Sequence, residues 1–277
     1  MDRAEDEYST EQLKKFIYFF IKNNFKKFKF LGGEPFLRND FPIILKYINN
    51  FDSNLDISAI TSCVFPTRAY YEAMHSGLKR INVSMHGFSY DAFKLRNPSY
   101  KMYLLRNKNL QIILKHSTSQ VKLNYVYSGI NDEKDLSQFL EWAGRRKLLV
   151  SVLDNLNMDF SWIDVFKAVT RIYNRGYDLI ENIDENCLPT LLVRFTNGLN
   201  VEIKNNRVSD YSFFKSCKTC GFKKTCKEGI FAMRLDNNGN LQPCLIRDDN
   251  KFPLKNYIDQ FGIVEAQNKY NEYIKKI

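Results

Sequence analysis

The sequence predicts an α/β fold: a TIM-type (β/α) barrel, complete or partial, followed by a small hairpin and cysteine-rich domain. Three observations predict it. Short apolar runs alternate with amphipathic helical segments over roughly the first two-thirds of the chain, and strict alternation means parallel strands joined by crossover helices. The alternation stops near residue 180, where hairpin signals replace it. Four of the six cysteines then crowd into the segment from Cys217 to Cys244. A doubly wound open sheet is the competing architecture. In either, chemistry collects at the carboxyl ends of the strands.

The elements follow in order. Ser9 and Gln12 have capping-box spacing, and Leu13, Phe16, Ile17, Phe20 and Ile21 recur at helical spacing up to about Asn24. FKKFKFL alternates and reads as a strand. Asp40 can cap a second helix with Pro42 in its first turn and Ile43 to Ile48 as its body. LDISAIT is a strand, Pro66 to Ser76 a helix stopped by Gly77, and RINVS a strand. Helical pieces around Tyr90–Arg96 and Lys101–His116 lead to the strand VKLNYVY. A helix over Asp132–Arg145, the strand LLVSVL and a helix over Trp162–Arg175 closed by Gly176 complete the alternating part. TLLVRFTNGLNVEIK then reads as a hairpin about Asn197-Gly198, and FAMRLDNNGNLQPCL as another about Asn238-Gly239. The expected division is 1–180 for the barrel and 181–277 for the cysteine-rich domain and a tail with some helical character.

Composition narrows the function. With 44% hydrophobic and 26% charged residues the chain is ordinary for a globular protein. No apolar run is long enough to span a bilayer, and the acidic start MDRAEDEYS is not a signal peptide, so a cytoplasmic location is expected without membrane association. The net charge of +10 comes from scattered lysines rather than an Arg-rich tract. It reads as a solvated basic surface, and nucleic acid is not an expected partner.

Two segments carry chemistry. Gly32, Gly33, Glu34 and Pro35 close a strand. The glycines leave backbone open to a ligand, Glu34 offers a fixed negative charge suited to an ammonium, and Pro35 stiffens the turn. The second is Cys217, Cys220, Cys226 and Cys244, spaced Cys-x2-Cys-x5-Cys-x17-Cys. Two thiolates on one turn, a third closing the loop and a fourth returning from the hairpin suit tetrahedral zinc or a 4Fe-4S cluster equally. Cys63 and Cys187 are isolated and read as small core residues, Cys187 with an auxiliary-ligand alternative. His75, His86 and His116 have no metal-ligand spacing, though His86 follows a strand and can line a pocket. Lys122, Asn124 and Asp154 lie in or at the end of later strands, where Asp154 can orient a substrate. Trp142 and Trp162 read as packing residues.

FLGGEPFLRND resembles the Gly-Gly-Glu-Pro segment of radical S-adenosylmethionine (SAM) enzymes. Three later stretches resemble the same family in order and spacing. AITSCVF has Ser62 and Cys63 where the family has Asn and Gly, LKRINVSMHG carries the serine that lies by SAM, and VKLNYVYSGIND matches the next strand and its exit. The branch resembled contains the molybdenum-cofactor GTP cyclase and the SPASM/twitch peptide-modifying enzymes. The resemblance implies a SAM site formed in part by Gly32, Gly33, Glu34, Pro35, Thr61 and Ser84. It also implies a twitch-type domain with an auxiliary 4Fe-4S cluster on the four clustered cysteines, supported by the Gly239-x4-Cys244 spacing. Expected partners are a peptide or small-molecule substrate and, where catalysis is intact, an electron donor such as flavodoxin or ferredoxin.

The chain departs from the family in one decisive place. The family's catalytic 4Fe-4S cluster, which cleaves SAM to a 5′-deoxyadenosyl radical, is bound by Cys-x3-Cys-x2-Cys after the first strand. No cysteine precedes Cys63 here, and the first strand is missing too. The expectation is a shortened chain rather than a protein that lost radical chemistry. The cysteine-rich end also departs from the cyclase. It has four candidate ligands instead of three and Gly221-Phe222-Lys223 after the second cysteine. Only Arg234 stands for the cyclase arginines, and the C-terminal Gly-Gly is absent. GTP cyclisation is therefore not expected, and modification of a peptide or another small molecule is. The rivals are a non-catalytic iron–sulfur or zinc protein holding a peptide or protein partner, and a zinc-ribbon nucleic-acid binder.

Overall fold

A computed structural model describes residues 8–155, 161–182, 190–204, 215–223, 226, 232–244 and 246–277. The chain forms two compact units. One, the sheet unit, comprises 26–183 and 189–205; the other, the terminal unit, comprises 1–25, 184–188 and 206–277.

In the sheet unit the strands are β1 (Lys27–Phe30), β2 (Asp56–Thr61), β3 (Arg80–Ser84), β4 (Gln120–Tyr127), β5 (Leu149–Asp154), β6 (Tyr177–Asn182), β7 (Thr190–Phe195) and β8 (Asn200–Lys204). They make one sheet in the order β1-β2-β3-β4-β5-β8-β7-β6. β1 to β5 are parallel neighbours in sequence order, and β8 adds parallel to β5. β7 pairs antiparallel with β8 and with β6. The order is linear among the described residues, from β1 at one end to β6 at the other. This is the partial TIM-type α/β arrangement.

The hairpin of β7 and β8 belongs to this sheet, not to the cysteine-rich part expected from residue 181 onward. The physical reason lies in register. Val150 stands opposite Val201 and Val152 opposite Ile203, so β8 continues the buried face that β5 presents. A turn signal at Asn197-Gly198 identifies a hairpin but not the strand that receives it. β6, just before it, is a further strand that apolar runs did not reveal.

The helices of this unit are α2 (Phe41–Asn49), α3 (Thr67–Met74), α4 (Tyr90–Lys94), α5 (Tyr100–His116), α6 (Glu133–Gly144) and α7 (Trp162–Ile172). Ser89, Ser99 and Ser161 cap α4, α5 and α7, accepting from the amide three residues on. Strand alternation divides the sheet into two faces. One carries Ile57, Ala59, Ile81, Val83, Leu123, Val150, Val152, Val201 and Ile203, all buried. The other carries Ser58, Asn82, Ser84, Lys122, Asn124, Ser151 and Glu202. A sheet with one apolar and one polar face is what a barrel wall requires when its interior holds a polar ligand.

In the terminal unit, α1 (Thr10–Lys22) begins with a two-way capping box. Ser9 Oγ accepts from Gln12 N at 3.2 Å, and Gln12 Oε1 accepts from Ser9 N at 2.9 Å. α1 packs on α9 (Leu254–Lys276), which is broken at Gly262 where φ is 80°. Phe16, Phe19, Leu241, Phe252, Leu254, Ile258, Ala266 and Tyr270 form the shared core. Phe19 meets Tyr270 edge-on at 5.4 Å. The opening helix of the expected barrel alternation is thus a terminal-unit helix. Its apolar stripe predicted burial but could not name the partner. The unit also holds α8 (Lys215–Lys218) and the short hairpin of β9 (Arg234–Leu235) and β10 (Leu241–Gln242). That hairpin turns at Asn238-Gly239 as read, with Gly239 at φ 82° and Asp236 accepting from the amides of Asn238 and Asn240 at 2.9 and 2.8 Å. No helix among the described residues is long and apolar enough to cross a membrane.

Candidate functional site

The carboxyl ends of β1, β2 and β3 lie side by side, and the chain leaving each one is built differently. After β1 come Leu31, Gly32 and Gly33. Gly32 has φ +95°, a conformation that disfavours any side chain. A Cβ placed on Gly32 or Gly33 would meet nothing within 4 Å, so the backbone here faces open space. Pro35 then starts a 3-10 turn, Pro35–Leu37. Arg38 holds Asp40 through two bonds of 3.0 and 2.8 Å at the entrance to α2.

Glu34 is joined to the β2 exit. Its Oε2 accepts from Ser62 N at 3.0 Å and from Ser62 Oγ at 3.1 Å. Its Oε1 is buried and has no hydrogen-bond partner among the described residues. Burial raises the pKa of this carboxyl above its ordinary value, and hydrogen bonding from Ser62, Thr61 and the Phe36 amide opposes the rise. A buried carboxylate oxygen without a donor is costly. The arrangement is complete once a donor, best a cation, reaches Oε1.

The β2 exit is locked from beneath. Thr61 is buried; its Oγ1 accepts from Cys63 N at 2.9 Å and lies 3.2 Å from Tyr70 Oη. Asn109 of α5 donates to the carbonyls of Cys63 and Phe65 at 3.0 and 2.7 Å, while Thr67 Oγ1 donates to Asn109 at 2.7 Å. The Thr61 hydroxyl therefore supports the loop, and Ser62, which the resemblance did not assign, donates to Glu34 through both its amide and its hydroxyl. Cys63 is fully buried at φ 63°, and burial beside Glu34 pushes its thiol up to about 12. It is a core residue in a conformation natural to glycine. Cys63→Ala should cost about 1 kcal/mol through the lost sulfur. Cys63→Gly should cost no more, since release of about 1–2 kcal/mol of left-handed strain offsets the further loss. Urea unfolding checks the order; a Gly variant clearly less stable than the Ala variant would contradict the strain.

Ser84, partly buried at the end of β3, opens a polar row across the sheet. Ser84 stands opposite Asn124, Asn124 opposite Ser151, and Ser151 opposite Glu202. Ser151 Oγ is buried without a partner among the described residues. Just below the row, Lys122 Nζ meets Glu202 Oε2 at 2.7 Å across β4, β5 and β8, both side chains about a quarter exposed (22% and 25%). The sequence singles out Lys122 and Asn124; Asn82, Ser151 and Glu202 it does not. The signal was present as polar residues at every second position of otherwise apolar strands. Asp154 is buried at the last position of β5.

The cysteine-rich segment is less assembled. Cys217 sits on α8, and Cys220 N donates to Cys217 O at 3.3 Å, so both share one turn. Arg247 donates to Asp249 and, at 3.3 Å, to the Ser216 carbonyl. Cys226 is partly buried, and Cys244 is buried just beyond β10. None of the four is in a disulfide. Among the described residues no group of three or more His, Cys, Asp or Glu side chains is gathered as a metal site. The donor chemistry suits a thiolate-bound metal, but the arrangement does not form the ligand set. Cys187 lies outside the described residues.

The family model described as the radical SAM superfamily matches residues 1–143, and the chain belongs to that superfamily. Its place is on the branch of the GTP cyclases. The chain is 26% identical over 242 residues to a GTP 3',8-cyclase of Clostridium botulinum (strain Langeland), covering 84% of this chain and 69% of that one. To a probable GTP 3',8-cyclase of Methanococcus aeolicus it is 23% identical over 232 residues, covering 83% and 72%. Among solved structures it is similar to Streptococcus suis SuiB, with a TM-score of 0.59 and 13% identity. It is similar also to SuiB bound to the precursor peptide SuiA, with a TM-score of 0.55. Those matches cover 87% and 88% of this chain but only 55% and 54% of the SuiB chain. At that identity they establish a shared fold. The superfamily implies SAM and a 4Fe-4S cluster. The orphaned Glu34 Oε1 and the open backbone at Gly32 and Gly33 fit the ammonium end of SAM.

Proposed function

We propose that the ends of β1 to β3 bind SAM and that this protein serves radical SAM chemistry on a peptide or small molecule. The observation that carries the reading is the buried, unpartnered Glu34 Oε1 beside two glycines that leave the backbone open. In this reading Glu34 Oε1 takes the ammonium of SAM, Gly32 and Gly33 offer backbone groups to its carboxylate, and Ser62 holds Glu34 in place. The open end of β3 at Ser84 borders the ligand, and the polar row through Asn124, Ser151 and Glu202 orients the substrate. When bound and given one electron by a 4Fe-4S cluster, SAM would supply the radical that such enzymes use. The 277 residues contain no Cys-x3-Cys-x2-Cys.

Cys217, Cys220, Cys226 and Cys244 are proposed to hold an auxiliary 4Fe-4S cluster, on the strength of their number and spacing. A peptide substrate is favoured by the departures from the cyclase pattern at Gly221-Phe222-Lys223 and the lone Arg234. GTP is the second reading, favoured by the similarity to GTP 3',8-cyclases. Binding of GTP by calorimetry, present or absent, separates the two. The chain alone should not cleave SAM reductively. With dithionite and SAM under anaerobic conditions, chromatography should find no 5′-deoxyadenosine, and its formation would refute the need for the three-cysteine loop.

A further inference from the structure

Between Ser84 and α4 the chain makes a short turn, Met85 to Ser89, whose peptide groups are held by two buried charges from different helices. Arg106 of α5 is fully buried. Its guanidinium donates to the carbonyls of Gly87 and Phe88, the latter at 3.0 Å, and lies over the rings of Phe93 and Tyr103 at 4.9 and 5.0 Å. Asp135 of α6, also buried, accepts from the amides of Phe88 and Ser89 at 2.7 Å each and from Tyr125 Oη at 3.0 Å. On the other side, Met85 N donates to Asn124 O at 2.8 Å and so continues the β3–β4 pairing. Gly87 has φ +98°, and a Cβ there would sit 2.5 Å from backbone atoms of Ala92 and Phe93, so only glycine closes the turn.

The residue bracketed by these contacts is His86. Buried charges are expensive to desolvate, and neutral groups suffice to close an ordinary surface turn. Two charges committed to consecutive peptide groups make sense where the position of a side chain must be defined closely. His86 is exposed in the chain that leaves the carboxyl end of β3. Desolvation and the nearby Arg96 and Arg106 charges hold its pKa below the ordinary histidine value, so near neutral pH the ring is uncharged and able both to donate and to accept.

We infer that Arg106 and Asp135 are positioning residues: through Gly87, Phe88 and Ser89 they fix His86 at the end of β3 as a hydrogen-bonding group for the ligand of the strand-end site. The ligand half of this inference rests on the SAM-site reading; the positioning half does not.

The test is NMR of the histidine rings. The chain has three histidines, so His86→Ala assigns the His86 signal. In Asp135→Asn, removal of a negative charge by itself would lower the His86 pKa. Loosening of the turn would free the ring from the Arg96 and Arg106 charges and hydrate it more fully, raising it toward about 6.5. A rise is therefore the expected result. Asp56→Asn is the control. It breaks the Asp56–Arg80 pair (2.6 Å) at the opposite end of β2 and β3, and should leave His86 unchanged. An unchanged or lowered His86 midpoint in folded Asp135→Asn, or an equal rise in Asp56→Asn, overturns the positioning role. Addition of millimolar SAM to the wild-type chain should move both the Gly32–Gly33 amides and the His86 ring. If the amides move and the ring does not, His86 is not a ligand group and the SAM reading stands. If neither moves, the SAM reading falls, and the ligand role of His86 with it.

Discussion

Gly33→Val should remove measurable SAM binding without unfolding the protein. The structure separates the two effects. A Cβ at position 33 meets nothing within 4 Å, and Gly33 does not adopt the left-handed backbone that Gly32 does, so a Cβ there adds neither clash nor left-handed strain. It fills only the space where a ligand would lie against the backbone. Glu34→Gln tests the neighbouring contact. A hydrogen bond to a charged group contributes about 1.5–3 kcal/mol, so loss of the carboxylate should weaken SAM binding by about 10- to 100-fold. The same change should stabilise the ligand-free protein at pH 8. The sign follows from the raised pKa of Glu34: the folded state holds its proton more tightly than the unfolded chain, so the charged form is a burden above that pKa. As pH falls through the folded-state pKa, the wild-type carboxyl becomes protonated and the advantage of Gln disappears. Melting temperatures across pH 4 to 8 check this. A variant less stable than wild type at pH 8 would mean that Oε1 already has a donor.

Cys217→Ala and Cys244→Ala should each abolish metal binding, whereas Cys63→Ala should retain it. Anaerobically purified protein should hold iron and sulfide at about four each per chain if four thiolates carry one cluster. Cys63 is excluded by its burial and its raised thiol pKa. The four clustered thiols do not converge in the structure, so metal loading must draw them together and should raise the melting temperature of the terminal unit. Stoichiometric zinc without iron would replace the cluster with a structural metal. Retention of full iron by either variant would refute the ligand assignment.

Much of the local structure was legible in the sequence because its causes are local. The Ser9–Gln12 capping box, the Gly239 turn and the short parallel strands follow from side chains within a few residues of one another. What escaped was partner choice. The stripe on α1 predicts burial but not that Tyr270 and Phe252 bury it. The Asn197-Gly198 turn predicts a hairpin but not that β8 docks on β5. At the site, the strand-closing glycines were readable from sequence. The bond from Ser62 to Glu34 spans 28 positions, and the inward turn of the Thr61 hydroxyl toward Tyr70 depends on which face of β2 it occupies. The polar row from Ser84 to Glu202 was hidden because each member is a single polar residue in an apolar run, and only register aligns them. The clamp on His86 joins residues 20 to 50 positions away, beyond any motif.

The central claim is that Glu34 Oε1 receives the ammonium of SAM, and a cycle of two ligands on two proteins tests it most directly. SAM and 5′-methylthioadenosine, which lacks the amino-acid end, are titrated into wild type and Glu34→Gln with the Gly32 and Gly33 amides followed by NMR. The account predicts that wild type prefers SAM by at least about tenfold and that the preference largely vanishes in Glu34→Gln, while 5′-methylthioadenosine binds both proteins alike. An equal preference for SAM in the two proteins would contradict it.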